Sequence, residues 1–168
     1  MNSLLNNSPF IIAEMSGNHN QSLERALAIV DAAAAAGVNA IKIQTYTADT
    51  MTLNSEDNDF IIDDPKSLWY KESLYGLYQK AYTPWEWHNP IFDRCKAHGI
   101  FGFSTPFDET AVDYLEALQV PFYKIASFEN THLPLLRKVA RTRKPIIMST
   151  GMASIAELAE SVCTLREN

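Results

Sequence analysis

Hydrophobic and polar positions along the chain switch repeatedly between two periods. Short apolar runs, continuous or alternating, are each followed by a stretch whose apolar residues recur every three or four positions. The first run is Phe10-Ile11-Ile12-Ala13, and it ends in the polar cluster Glu14-Met15-Ser16-Gly17-Asn18-His19-Asn20. SLERALAIVDAAAAAG then predicts a helix: Ser22 caps its start, Leu23, Leu27 and Val30 form one stripe, and Gly37 stands where the chain leaves it. Asn39 to Thr45 is the second strand, and the segment 46–82 reads as long and irregular.

Thr83-Pro84-Trp85-Glu86 spells a capping box with proline at the first helical position, which predicts a helix running to Gly99. Ile100 to Ser104 is the third strand, and Asp108 caps a helix carrying Ala111, Val112, Leu115 and Leu118. Val120 to Ala126 is the fourth strand. Thr131 opens the next helix, with Leu135, Leu136 and Val139 facing inward. Pro145 to Ser149 is the fifth strand. A second capping box, Ser154-Ile155-Ala156-Glu157, opens a last helix with Ile155, Leu158, Val162 and Leu165 as its stripe.

Five strands, each followed by a helix, imply a parallel sheet with right-handed crossovers. A doubly wound sheet and a (β/α)8 barrel both satisfy this pattern. The dinucleotide-binding form is disfavoured because no strand is followed by GxGxxG. Every strand ends in polar residues: Glu14, Ser16, Asn18 and His19; Lys42, Gln44 and Tyr46; Ser104, Thr105 and Asp108; Lys124, Ser127 and Glu129; Ser149 and Thr150. Ligand sites of parallel α/β folds sit at the carboxyl ends of the strands, so these sets predict one polar pocket. Taken singly, Thr105, Asp108 and Thr150 also suit ordinary caps and turns.

Two apolar strands, AIKIQTY and FYKIASFE, each carry a lysine near the middle. Alternation puts Ala40, Lys42 and Gln44 on one face, and Phe122, Lys124 and Ala126 on one face. Burying an unpaired ammonium is costly. Three arrangements answer that cost: an anionic ligand held between the two lysines, salt bridges from the lysines to Glu14 and Glu129, or a Schiff-base lysine of an aldolase. Two lysines on different strands fit an anion clamp better than a single nucleophile.

Composition narrows the classes further. The chain has 168 residues, 46% of them hydrophobic, enough for a sizeable core. A net charge of −6 with no long basic run argues against nucleic acid as a partner. Cys95 and Cys163 form no CxxC pair, so neither a metal-binding spacing nor a disulfide framework is spelled and a reducing cytoplasm is the expected home. The opening MNSLLNNSPF has no signal-peptide pattern, and no apolar run is long enough to span a membrane.

The stretches AEMSGNHN, AIKIQTY, FSTPFD, YKIASFE and KPIIMSTGM, in this order, resemble the barrel of the sialic acid synthase family. QTYTADT and SLWYKESLYGLYQKAYTPWEWH are similar to the branch of that family that makes pseudaminic acid, the alternative being the N-acetylneuraminate branch. The resemblance implies a (β/α)8 barrel of which this chain supplies about the first five βα units. It also implies condensation of phosphoenolpyruvate with an amino sugar, of the 2,4-diacetamido-2,4,6-trideoxy-altrose type, releasing phosphate. Lys42 and Lys124 would hold the phosphate and carboxylate of phosphoenolpyruvate, with hydrogen bonds from Thr105, Ser127 and Ser149. Glu14 would lie near the reacting carbons, Glu129 would face the sugar and move a proton, and Gln44, Thr150 and His19 are weaker carry-overs.

The family also implies a divalent metal, Mn²⁺ or Mg²⁺, whose histidine ligands match none of His19, His88, His98 or His132. It implies a homodimer with a C-terminal antifreeze-like domain that this sequence lacks. A barrel needs about 250 residues, so a synthase fragment inactive by itself and a non-catalytic remnant are both expected possibilities. The aromatic segment, from Trp69 to Trp87, is expected to be mostly core with one or two rings facing substrate.

Overall fold

The computed structural model describes residues 9–168. Its five strands are β1 (Ile12–Glu14), β2 (Ala40–Thr45), β3 (Phe101–Pro106), β4 (Tyr123–Ile125) and β5 (Ile146–Met148). They pair in chain order, β1-β2-β3-β4-β5, and every pairing is parallel. A doubly wound sheet would reverse direction about its first strand; this one never does. The helices are α1 (Leu23–Ala35), α2 (Ala48–Met51), α3 (Leu74–Ala81), α4 (His88–Ala97), α5 (Glu109–Ala117), α6 (Leu133–Ala140) and α7 (Ile155–Glu167). The result is a half-barrel: five successive units of the (β/α)8 architecture.

The two faces of the sheet have different chemistry. On the outer face Ile41 and Ile43 join Ala26 and Val30 of α1 and Ile91 and Cys95 of α4 in one core. Tyr123 and Ile125 join Val112 and Leu115 of α5 and Leu135, Leu136 and Val139 of α6 in a second. Each such aliphatic side chain contributes about 1.5–3 kcal/mol when fully buried. The inner face is aromatic at its base, where Phe103 and Phe122 lie 4.2 Å apart against Ala40, Phe10, Ile12 and Ile147. Side chains two residues further along each strand, toward its carboxyl end, are the polar ones.

Caps explain several of the boundaries. Ser22 accepts from the Arg25 amide, Asp108 from those of Thr110 and Ala111, and the Ser154–Glu157 capping box forms in full. Gly37 and Gly99 take positive φ values of 81° and 70° where α1 and α4 end, a conformation that costs glycine nothing.

Other expectations are corrected. Thr83 caps nothing: it is buried, its hydroxyl meets His19 Nε2 at 3.3 Å, and a short 3-10 turn over Trp85–Trp87 precedes α4. Thr131 does not cap α6, whose N-cap position is held by His132 without a side-chain hydrogen bond and whose first turn contains Pro134. The segment 46–82 is not irregular throughout, since it contains α2, α3 and an antiparallel bridge between Ile61 and Ser73. In α7 the apolar stripe packs only in part: Ile155 is exposed, Leu158, Val162 and Leu165 are half-buried with Leu165 against the outer core, and Ser161 and Thr164 are the most deeply buried. Ser104 faces the helices, donating to the Ile43 carbonyl and bonding Thr45, which in turn bonds His88. It therefore belongs to a buried network beneath α4 and not to the pocket.

Candidate active site

The pleat and the register decide which polar side chains meet. Glu14, Lys42 and Phe103 are lateral neighbours on β1, β2 and β3, as are Gln44 and Thr105 one layer higher. Lys124 is paired laterally with Ile147, so Ser149 lies one layer above it. The sheet thus carries Glu14, Lys42, Thr105, Lys124 and Ser149 to one end of its concave face, above the Phe103–Phe122 floor.

Lys42 forms an ion pair with Glu14 and donates to Thr105 Oγ1 at 3.1 Å. The Lys42 side chain is only 13% exposed, whereas that of Glu14 is 42% exposed, so the pair sits at a wet mouth with its cation inside. Lys124 donates to Ser149 Oγ and to the Ile125 carbonyl, each at 2.5 Å. No carboxylate among the described residues pairs with Lys124. One of the two salt bridges weighed from sequence is therefore present and the other is absent. Burial first, and then the neighbouring Lys42 charge, hold the Lys124 ammonium below the ordinary lysine range, while Glu14 and Glu129 pull it back.

Glu129 behaves in the complementary way. Burial raises its carboxyl above the usual glutamate range, against a backbone hydrogen bond and the Lys124 charge. Its Oε2 is buried without a hydrogen-bond partner. A carboxyl with a raised affinity for its proton and an unpaired oxygen is the expected form of a general acid.

The remaining expected residues divide. Gln44 Oε1 receives Ser16 Oγ at 3.5 Å, which ties it to the loop after β1. Ser127 makes no hydrogen bond in the cluster, but its Oγ lies 2.8 Å from where a Cβ on Gly151 would stand. Only glycine lets the loop after β5 come this close to the loop after β4. Thr150 is exposed and bonds none of the cluster residues. His19 is fully buried; the Gln21 amide donates to its Nδ1, so the neutral ring carries its hydrogen on Nε2 and gives it to Thr83. Burial also keeps its pKa low. It braces the loop after β1 and stays out of the cluster. Asp108 serves α5 as a cap.

Sequence reasoning missed Asn130. It is buried, its side-chain amide donates to the carbonyls of Ser149 (3.3 Å) and Gly151 (2.9 Å), and its own carbonyl receives Ser161 Oγ at 2.6 Å. Asn130 thereby holds the segment that presents Ser149 to Lys124. The signal available in the sequence was a serine inside the otherwise apolar period of α7.

Among the described residues no three His, Cys, Asp or Glu side chains converge in a way that would hold a metal ion. No helix among them is long and apolar enough to cross a membrane.

Comparison with known proteins gives the family. Over 158 residues the chain is 48% identical to pseudaminic acid synthase of Helicobacter pylori, covering 94% of this chain and 46% of that protein. It is 50% identical over 149 residues to the pseudaminic acid synthase of Campylobacter jejuni serotype O:2, covering 89% and 43%. The chain thus spans about half the length of these relatives. Among solved structures, the N-acetylneuraminic acid (sialic acid) synthetase of Leptospira borgpetersenii, in complex with citrate, superposes with a TM-score of 0.80 at 29% identity, covering 94% of this chain and 50% of that one. The sequence pattern of the NeuB family matches residues 29–168, and the chain belongs to that family.

Proposed function

We propose that the natural polypeptide condenses phosphoenolpyruvate with a 2,4-diacetamido-2,4,6-trideoxyhexose to give pseudaminic acid and phosphate. The observation that carries this reading is the pair of inward lysines on β2 and β4, set with Glu14, Thr105 and Ser149 at one end of the concave face and with the Glu129 charge near Lys124. The higher identity to pseudaminic acid synthases than to the sialic acid synthetase favours this sugar over N-acetylmannosamine.

In this reading the anion of phosphoenolpyruvate spans Lys42 and Lys124, and Thr105, Ser127 and Ser149 supply neutral donors. Binding relieves the repulsion between the two ammonium groups, so the clamp is completed by its ligand. C3 of phosphoenolpyruvate attacks the aldehyde carbon of the open-chain sugar. Glu129, whose hold on a proton is raised by burial, gives its proton to the aldehyde oxygen as that becomes a hydroxyl. The cationic C2 lies near Glu14, which takes a proton from the water that adds there. The resulting hemiketal phosphate expels phosphate by C–O cleavage, leaving the 2-keto acid. The chain's contribution is positioning and electrostatics. The divalent cation implied by the family finds no donor set among the described residues, and the steps above use side chains of this chain alone.

The Lys42–Glu14 ion pair supports a second reading, in which Lys42 is structural and the chain a non-catalytic relative. Phosphoenolpyruvate labelled with ¹⁸O at the C2–O bridge separates the two. The catalytic reading expects sugar-dependent release of phosphate that retains the label, whereas no sugar-dependent release favours the second reading. A homodimer in the cytoplasm is the expected assembly and place, and sedimentation of the natural polypeptide tests the dimer.

A further inference from the structure

Beside the anion cluster lies a cleft of about 740 Å³ between the loop after β1 and the helix α3. This volume is within the range of small-molecule sites, roughly 300–1,000 Å³. Its walls include Gly17, Asn20, Tyr46, Trp69, Leu77 and Tyr78. The cleft adjoins the cluster along the chain: Gly17 follows Ser16, whose hydroxyl meets Gln44, and Tyr46 stands two residues beyond Gln44, just past the end of β2. Gly17 can form this wall because a Cβ there would lie 3.1 Å from the Ala81 carbonyl oxygen.

The rings are held in fixed orientations. Tyr46 packs edge-on against Tyr78 at 5.7 Å and against Phe107 at 5.4 Å. Tyr46 is 3% exposed and lines the cleft, and its hydroxyl bonds no described residue. Burial, then the nearby Tyr78 phenol, push Tyr46 up to about 12, so the hydroxyl stays a proton donor. Trp69 is 45% exposed at the rim. The loop is fixed to α3 by Gln21, whose amide donates to the carbonyls of Lys80 and Tyr82.

We propose that this cleft is the specificity subsite for the second acetamido group and the 6-deoxy end of the amino sugar, with Tyr46 donating to the amide carbonyl and Trp69 covering the methyl groups. The inference rests on the substrate reading above and adds the residues that choose the sugar. Aromatic walls that carry a Tyr46 hydroxyl free to donate suit an acetamide, which has one acceptor and one methyl. A hydroxyl at the same carbon would leave the aromatic wall bare and bring a polar group against it.

The test is steady-state kinetics of the natural full-length polypeptide, wild type, Trp69→Ala and Tyr46→Phe. The sugars are a 2,4-diacetamido-2,4,6-trideoxyhexose and, separately, N-acetylmannosamine, and circular dichroism checks the fold. Each variant is expected to raise KM for the diacetamido sugar about tenfold, with kcat and KM for phosphoenolpyruvate within twofold and a smaller change for N-acetylmannosamine. Sugar KM within twofold of wild type in both variants overturns the subsite while leaving the substrate reading intact. A parallel rise in KM for phosphoenolpyruvate also overturns it, since the effect is then not specific to the sugar. A wild-type protein that turns over neither sugar, or only N-acetylmannosamine, overturns both.

Discussion

Replacing Lys124 with methionine keeps the length and volume of the side chain and removes its charge. In the structure that charge is partly buried, repelled by Lys42 and held by Ser149 Oγ and the Ile125 carbonyl. Two consequences follow with opposite signs. Without ligand, the variant loses an ammonium that the fold disfavours, so its stability should stay within about 1 kcal/mol of wild type. With phosphoenolpyruvate, it loses a charge-assisted contact to the anion of about 1.5–3 kcal/mol, which weakens binding roughly 10- to 150-fold. Ligand at a hundred times the wild-type Kd stabilises the wild type by about 2.7 kcal/mol. For a variant weakened a hundredfold, the same concentration equals its Kd and stabilises by only about 0.4 kcal/mol. Thermal unfolding with and without phosphoenolpyruvate reads both numbers. Equal ligand-induced shifts in Tm for wild type and Lys124→Met would refute the anion-clamp assignment. The pH dependence gives a second check. A lysine whose folded pKa is depressed makes the fold gain stability as pH rises through the window between that pKa and the ordinary lysine value; the methionine variant should lose this gain.

Three further outcomes are expected. Glu129→Gln should lower kcat by about 10²- to 10⁴-fold with phosphoenolpyruvate affinity retained, and wild-type rates should fall as pH rises through the elevated Glu129 pKa; unchanged kcat removes its proton-transfer role. Because that pKa is raised in the folded state, wild-type stability should also decline as pH rises through the same window, and Glu129→Gln should remove the decline. Asn130→Ala strands the Ser149 and Gly151 carbonyls and should cost about 2–4 kcal/mol in urea unfolding; a loss below 0.5 kcal/mol, roughly the noise of a surface change, argues against the clamp on the loop after β5. Gly102→Ala puts a Cβ 2.6 Å from Phe92 Cδ1 and 3.3 Å from its Cα, and should destabilise by about 1–3 kcal/mol through overpacking of α4 on β3; a neutral result would show that α4 can shift freely.

Much of the architecture is legible in the sequence because one feature repeats. Each strand joins β-branched or aromatic residues to a polar end, and each of Ser22, Asp108 and Ser154 caps as spelled. The failures occur where tertiary contacts outvote a local motif. Thr83-Pro84-Trp85-Glu86 spells a cap, but burial of Thr83 against His19 takes its hydroxyl away. Ser104 reads as a strand-end ligand, but the pleat turns it toward α4, because β3 continues two residues further than its apolar run suggests. The partners of the two lysines were open to several arrangements in the sequence. Lateral register resolves them, setting Glu14 beside Lys42 and leaving Lys124 to Ser149. Asn130 was hard to read because its role depends on two backbone carbonyls about twenty residues away, and its one trace in the sequence is the buried Ser161 of α7.

The most direct measurement is a crystal structure of the natural polypeptide with phosphoenolpyruvate bound. The account predicts the phosphate and carboxylate within hydrogen-bond distance of the Lys42 and Lys124 ammonium groups, with Ser149 on the same anion and Glu129 on the side where the sugar enters. Phosphoenolpyruvate bound elsewhere at saturating concentration, with Lys42 still held by Glu14 and Lys124 by Ser149 alone, would contradict it.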